Sequence, residues 1–187
     1  MTSGFTTIAS IDGIEACLAA SESVFTDIRP GLAKQVVWAD PAAKSRTRLA
    51  IVYIHGFSAS KGEVRPLPDL VAKALGANLF YTRLAGHGRN GDAMVEASAA
   101  DWQEDMREAL DIAALLGDST LIIATSTGAT LATWALSQLA LAARVKGAVF
   151  LAPNFRIKGR GAFLLTAPLA RVSAPSSSSA AAAPSSR

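Results

Sequence analysis

The sequence predicts an α/β fold, a mostly parallel sheet with helices on both faces. Three observations carry this. Short β-rich runs alternate with segments of helical periodicity between residues 35 and 151. The run Leu49-Ala50-Ile51-Val52-Tyr53-Ile54 is apolar throughout, as a strand covered on both sides requires. Glycine, proline or a hydroxyl cluster punctuates the junctions. Strand and helix in alternation make parallel βαβ units with right-handed crossovers.

The elements follow in order. Residues 14–24 place apolar side chains at helical spacing among good helix formers, and Arg29-Pro30-Gly31 breaks the segment. Residues 35–38 read as a short strand. Residues 49–54 form a buried strand that runs into His55-Gly56. A helix over 67–75 follows Pro66 and Pro68 and is stopped by Gly76. Residues 78–82 form another strand, and 84–92, with three glycines, a loop. Asp101 makes a helix N-cap, with Glu104 three residues on in a capping-box pattern; that helix ends near 116, at Gly117. Residues 120–124 read as a strand, 128–142 as a helix and 147–151 as a strand. The expected organisation is a helical extension over 1–34, an α/β core over 35–171 and a disordered tail over 172–187.

Bulk properties narrow the function. Half of the 187 residues are apolar, enough for a sizeable core, and the net charge is only +3 without a basic cluster. The sequence therefore gives no support to nucleic-acid binding. Cys17 is the only cysteine and His55 and His87 the only histidines, so neither an internal disulfide nor a thiolate cage is available. No basic segment followed by an apolar one opens the chain, and a cytoplasmic location is expected. Residues 121–143 carry no charge and are long enough to span a bilayer. Thr125, Ser126, Thr127, Gly128 and Thr130 divide that stretch into a strand-like and a helical piece, so no integral membrane span is expected. From Ser173 to the end only Ser, Ala and Pro occur before the final Arg. Such a segment buries too little to order itself. A natural linker and an out-of-frame reading of GC-rich DNA both produce it; the abrupt change after Leu169-Ala170-Arg171-Val172 favours the second.

Three motifs carry chemistry. In Leu121-Ile122-Ile123-Ala124-Thr125-Ser126-Thr127-Gly128 a strand meets a helix with almost no loop and a serine at the join. A tight turn of this kind lifts a nucleophilic hydroxyl above the sheet edge, and small residues two positions either side let neighbouring backbone pass. The following helix start favours developing negative charge beside Ser126. A plain polar turn, with Ser126 and Thr127 only capping the helix, has the same residues. In Ile51-Val52-Tyr53-Ile54-His55-Gly56-Phe57-Ser58 an apolar strand runs into His-Gly and a bulky residue. His55 in such a place is expected to tie down a loop. Arg83-Leu84-Ala85-Gly86-His87-Gly88 lacks the Lys-Ser/Thr ending of a phosphate-binding loop, and His87 there reads as structural.

These motifs, in this order and with Asp101-Trp102 heading the helix before the serine, resemble the α/β-hydrolase superfamily. The similarity is to the branch of monoacylglycerol lipases, lysophospholipases and serine aminopeptidase-like hydrolases, and it covers about residues 35–171. The resemblance implies an incomplete α/β-hydrolase fold acting on carboxylic esters, with a small acyl-ester or lipid-like substrate and no cofactor or metal. It implies Ser126 as nucleophile and the backbone N–H groups of Phe57 and Thr127 as oxyanion-hole donors, each worth about 3 kcal/mol. Family order is Ser, then Asp or Glu, then His. After Ser126 this chain has no histidine, and after Asp118 no Asp or Glu, so acid and base are not identified. The expectation is a chain inactive or nearly so by itself, self-associating through an exposed sheet edge. The alternative is a non-catalytic binding module of the same fold.

Overall fold

The computed structural model describes residues 10–155. The tail expected over 172–187 lies outside them. A 3-10 turn at Ile11–Gly13 leads into helix α1 (Ile14–Ser23). There follow β1 (Gln35–Val37), β2 (Thr47–Ile54), α2 (Leu67–Leu75), β3 (Asn78–Tyr81), α3 (Ala93–Glu96), α4 (Ala99–Leu116), β4 (Gly117–Thr125), α5 (Thr127–Leu136), α6 (Leu139–Ala142) and β5 (Val145–Leu151).

The strands form one sheet in the order β1-β3-β2-β4-β5. All neighbours are parallel except β1, which runs antiparallel to β3. Strand β2 sits at the centre, and its side chains alternate between two cores. Ala50, Val52 and Ile54 join Phe80, Ile122 and Ala124 under α1, α4 and α5. Ile51 and Tyr53 join Leu79, Tyr81 and Ile123 under α2, which brings Ala72. Period-two geometry thus gives both layers from one apolar run. Each large side chain buried this way contributes about 1.5–3 kcal/mol.

Helix α2 has the expected bounds, and Gly76, at φ 57°, closes it in the left-handed conformation. Other boundaries differ from expectation. The capping box of α4 is Ser98 with Asp101, one turn earlier than the Asp101–Glu104 reading. Asp101 N–H donates to Ser98 Oγ at 3.3 Å, and Ser98 N–H to Asp101 Oδ2 at 2.8 Å. Ala99 and Ala100 supply the extra turn at no side-chain entropy. The helix expected over 128–142 is two helices. Gln138 is extended (φ −95°, ψ 111°), and the Ser137 hydroxyl bonds back to Trp134 O at 2.6 Å. The uncharged stretch weighed as a membrane span is therefore the end of β4 followed by α5 and α6; no helix of the described residues is long and apolar enough to cross a membrane.

Candidate active site

Strands β2 and β4 are neighbours, with Ile54 opposite Ala124. Both therefore leave the sheet at one place, and His55-Gly56 meets Thr125-Ser126 there. A Cβ built on Gly56 would lie 3.2 Å from Ser126 Cβ. A Cβ on Gly128 would lie 2.4 Å from Ile54 O and 2.6 Å from His55 O. Backbone cannot step aside as a side chain can, so only glycine lets the start of α5 pass this close to β2.

Ser126 occupies the join at φ 49°, ψ −115°, half-buried. Few non-glycine residues adopt such a backbone, and they do so when surrounding structure imposes it. The constraints are visible. Ser126 N–H donates to Leu151 O at 3.0 Å, and Asn154 N–H donates to Ser126 O at 3.3 Å. The Thr130 hydroxyl donates to Asn154 O at 2.8 Å. Although Ser126 stands at the N-cap position of α5, its side chain makes no capping hydrogen bond. The plain-cap reading thus loses the bond it rests on.

The Gly56–Phe57 peptide is fixed from one side. Gly56 O accepts the His55 Nδ1–H at 2.9 Å and Ala59 N–H at 3.3 Å. A trans peptide points its N–H opposite to its carbonyl, so the Phe57 N–H is aimed away from those partners. Thr127 is the first residue of α5, where helical N–H groups have no intrahelical acceptor. The Phe57 side chain is 59% exposed, packed edge-on against His87 and Trp102.

Both histidines are occupied. His55 is fully buried, and its Nε2 accepts Leu84 N–H at 3.1 Å. His87 Nε2 accepts Ser58 N–H at 3.1 Å, and its Nδ1–H donates to Ala85 O at 3.0 Å. Accepting from backbone N–H assigns the proton of each ring to Nδ1. Burial pushes the His55 pKa down to about 4, and burial likewise lowers that of His87. The two rings stand 4.8 Å apart and join the β2 loop to the Gly-His-Gly loop.

The Gly-His-Gly loop has its own supports, half-buried at Asp105 and Trp102 and buried at Arg83. Ala85 N–H donates to Asp105 Oδ2 at 2.6 Å, and Trp102 Nε1–H to Ala85 O at 3.0 Å. Burial raises the Asp105 carboxyl to about 6. Arg83 donates to His87 O at 3.0 Å and to Glu22 at 2.7 and 2.9 Å, with both charged side chains buried. Among the described residues no group of acidic, cysteine and histidine side chains could hold a metal ion.

The family model described as serine aminopeptidase, S33 (Hydrolase_4) matches residues 45–185. The chain belongs to this family. Two solved structures are similar to this S33-type chain. One is of the metagenome-derived lipolytic enzymes LipS and LipT, with a TM-score of 0.66 and 24% identity over 79% of this chain and 55% of that one. The other is a monoacylglycerol lipase of Paleococcus ferrophilus, with a TM-score of 0.57 and 16% identity over 76% of this chain and 52% of that one. The S33-type chain thus spans about half the length of these structures. No curated protein matches it.

In this S33-type fold the three residues picked from the sequence come to the C-terminal ends of two adjacent interior strands: Ser126 and Thr127 after β4, Phe57 after β2. Sequence reading missed Tyr53 and Glu63, which bond to each other, Tyr53 also to the Thr125 hydroxyl and Glu63 to the Gly56 N–H. Tyr53 was one letter in an apolar strand, and Glu63 one acid in a loop; neither pattern carries a signal.

Proposed function

We propose that this chain is the nucleophile-bearing part of a serine hydrolase of carboxylic esters, with Ser126 as the attacking residue. The observation that supports this most is the positive φ of Ser126, held between Gly56 and Gly128 at the C-terminal end of β4. A hydroxyl so placed attacks an ester carbonyl, and negative charge develops on the carbonyl oxygen. The N–H groups of Phe57 and Thr127 receive that charge, each worth about 3 kcal/mol. The exposed Phe57 ring gives an apolar group a surface beside this point, which suits a small acyl or lipid-like ester.

The serine proton needs an acceptor, and both histidines already use both ring nitrogens. Loss of a triad member lowers turnover by several powers of ten while an oxyanion hole retains part of the rate. This chain by itself is therefore proposed to react slowly and turn over little. Strand β5 pairs only with β4 among the described residues, and its open edge is the proposed route of self-association. The test is incubation of the chain and of Ser126→Ala with a fluorophosphonate, followed by mass spectrometry. Slow labelling at Ser126 alone, lost in the variant, is expected. Absence of labelling favours the binding-module alternative. Rapid, Ser126-dependent turnover of p-nitrophenyl butyrate would refute the near-inactivity.

A further inference from the structure

Glu63 lies in the loop between β2 and α2, and one of its oxygens joins the two strand ends at the site. Its Oε2 accepts the Tyr53 hydroxyl at 2.9 Å and the Gly56 N–H at 3.0 Å. The Tyr53 oxygen is also 3.1 Å from Thr125 Oγ1. Tyrosine has one hydroxyl proton, and a carboxylate can only accept. The Thr125 hydroxyl therefore donates to Tyr53, Tyr53 to Glu63, and Gly56 to Glu63. Thr125 immediately precedes Ser126, and Gly56 immediately precedes Phe57.

We infer that Glu63 is a positioning residue that sets the distance between the two oxyanion donors, Phe57 N–H and Thr127 N–H. The inference rests on the hydrolase reading above. Gly56 is held at its N–H by Glu63 and at its carbonyl by His55 and Ala59, so the peptide carrying the Phe57 N–H cannot rotate. Through Tyr53 the same carboxylate holds Thr125, while Leu151 O holds the N–H of Ser126. Such donors act only near 2.7–3.1 Å from the oxyanion, and a misplacement of about 1 Å costs roughly a hundredfold in rate. Because both bonds end on Oε2, a glutamine with its amide oxygen there keeps them. A role as proton acceptor or as seat for a cationic substrate group would need the charge instead.

The full chain is compared with Glu63→Ala, Glu63→Gln, Tyr53→Phe and Ser126→Ala by three readouts: amide exchange at Gly56, fluorophosphonate labelling rate at Ser126, and thermal midpoint. In Glu63→Ala, exchange at Gly56 is expected to rise about tenfold, and the midpoint to fall by a few degrees because the buried Tyr53 hydroxyl and Gly56 N–H lose their acceptor. Its labelling is expected to slow by about 10–100-fold, in the bond-forming step rather than in probe binding. Glu63→Gln stays within about threefold of the parent, and Tyr53→Phe, which keeps the Gly56 bond, falls between. A parent that labels at Ser126 while Glu63→Ala labels equally fast overturns the inference alone. Glu63→Gln as slow as Glu63→Ala also overturns it, because charge then matters. A parent that never labels at Ser126 overturns the hydrolase reading and, with it, the positioning role.

Discussion

Ser126→Gly is expected to stabilise the protein while deleting the group proposed to react. At φ 49°, ψ −115° the residue holds a backbone open to glycine. For a residue with a Cβ, such strain amounts to about 1–3 kcal/mol. Glycine loses more chain entropy on folding, which offsets about 0.5–1 kcal/mol. The Ser126 side chain makes no capping hydrogen bond, so removing it subtracts little. The net gain is up to about 2.5 kcal/mol, or a rise of up to roughly 10 °C in Tm. Ser126→Ala separates the contributions, because it deletes the hydroxyl but keeps the Cβ; it is expected within about 0.5 kcal/mol of the parent. Urea unfolding followed by tryptophan fluorescence measures all three. If Ser126→Gly is no more stable than Ser126→Ala, the turn is not strained, and the argument that the fold imposes this backbone on the serine fails.

Gly128→Ala places a methyl 2.4 Å from Ile54 O. The expected loss is about 2–3 kcal/mol in urea unfolding, whereas Gly147→Ala, whose nearest neighbour is 3.6 Å away, serves as a near-neutral control. Glu22→Ala leaves the Arg83 guanidinium buried without its carboxylate and is expected to cost about 3–5 kcal/mol; a loss under about 1 kcal/mol would show that the pair is not desolvated as drawn. Asp105→Asn is expected to make stability more sensitive to acid. The Asp105 carboxyl, raised to about 6, binds its proton more tightly folded than unfolded, so stability grows as pH falls from 6 toward 3.8. The His55 imidazole, lowered to about 4, does the reverse, so stability is lost as pH falls from 6.5 toward 4. Removing the Asp105 proton site should steepen the loss between pH 6 and 4 by about 1.4 kcal/mol per pH unit; an unchanged slope refutes the buried-carboxyl assignment.

The sheet was legible because its strands are apolar runs ended by glycine or hydroxyl clusters. The bounds of α2 were legible because Pro68 and Gly76 mark both ends chemically. Boundaries without such marks moved. The pattern Asp101–Glu104 satisfies the capping rule as well as Ser98–Asp101 does, and only the three-dimensional hydrogen bonds distinguish them. The break between α5 and α6 rests on Ser137 and Gln138, which are tolerated inside helices. At the site, the residues legible in sequence are those whose backbone geometry demands a residue type: Gly56, Gly128 and the serine between small neighbours. Tyr53, Glu63, Asp105 and Glu22 act through side-chain bonds to residues 7 to 72 positions away. No local pattern encodes such partners.

The two histidines decide how much of the chemistry these residues can perform. Each holds a loop by accepting a backbone N–H on Nε2, and an imidazolium has no lone pair to accept with. The loops that carry Phe57 and His87 therefore stand only while both rings stay neutral, and burial keeps them neutral. A general base must do the opposite and gain a proton in every cycle. A ring committed to staying neutral for the sake of its loop is unsuited to that task. What this chain places at Ser126 is a strained backbone and a close steric fit, and on the proposed hydrolase reading the acceptor of the serine proton is a group other than either histidine.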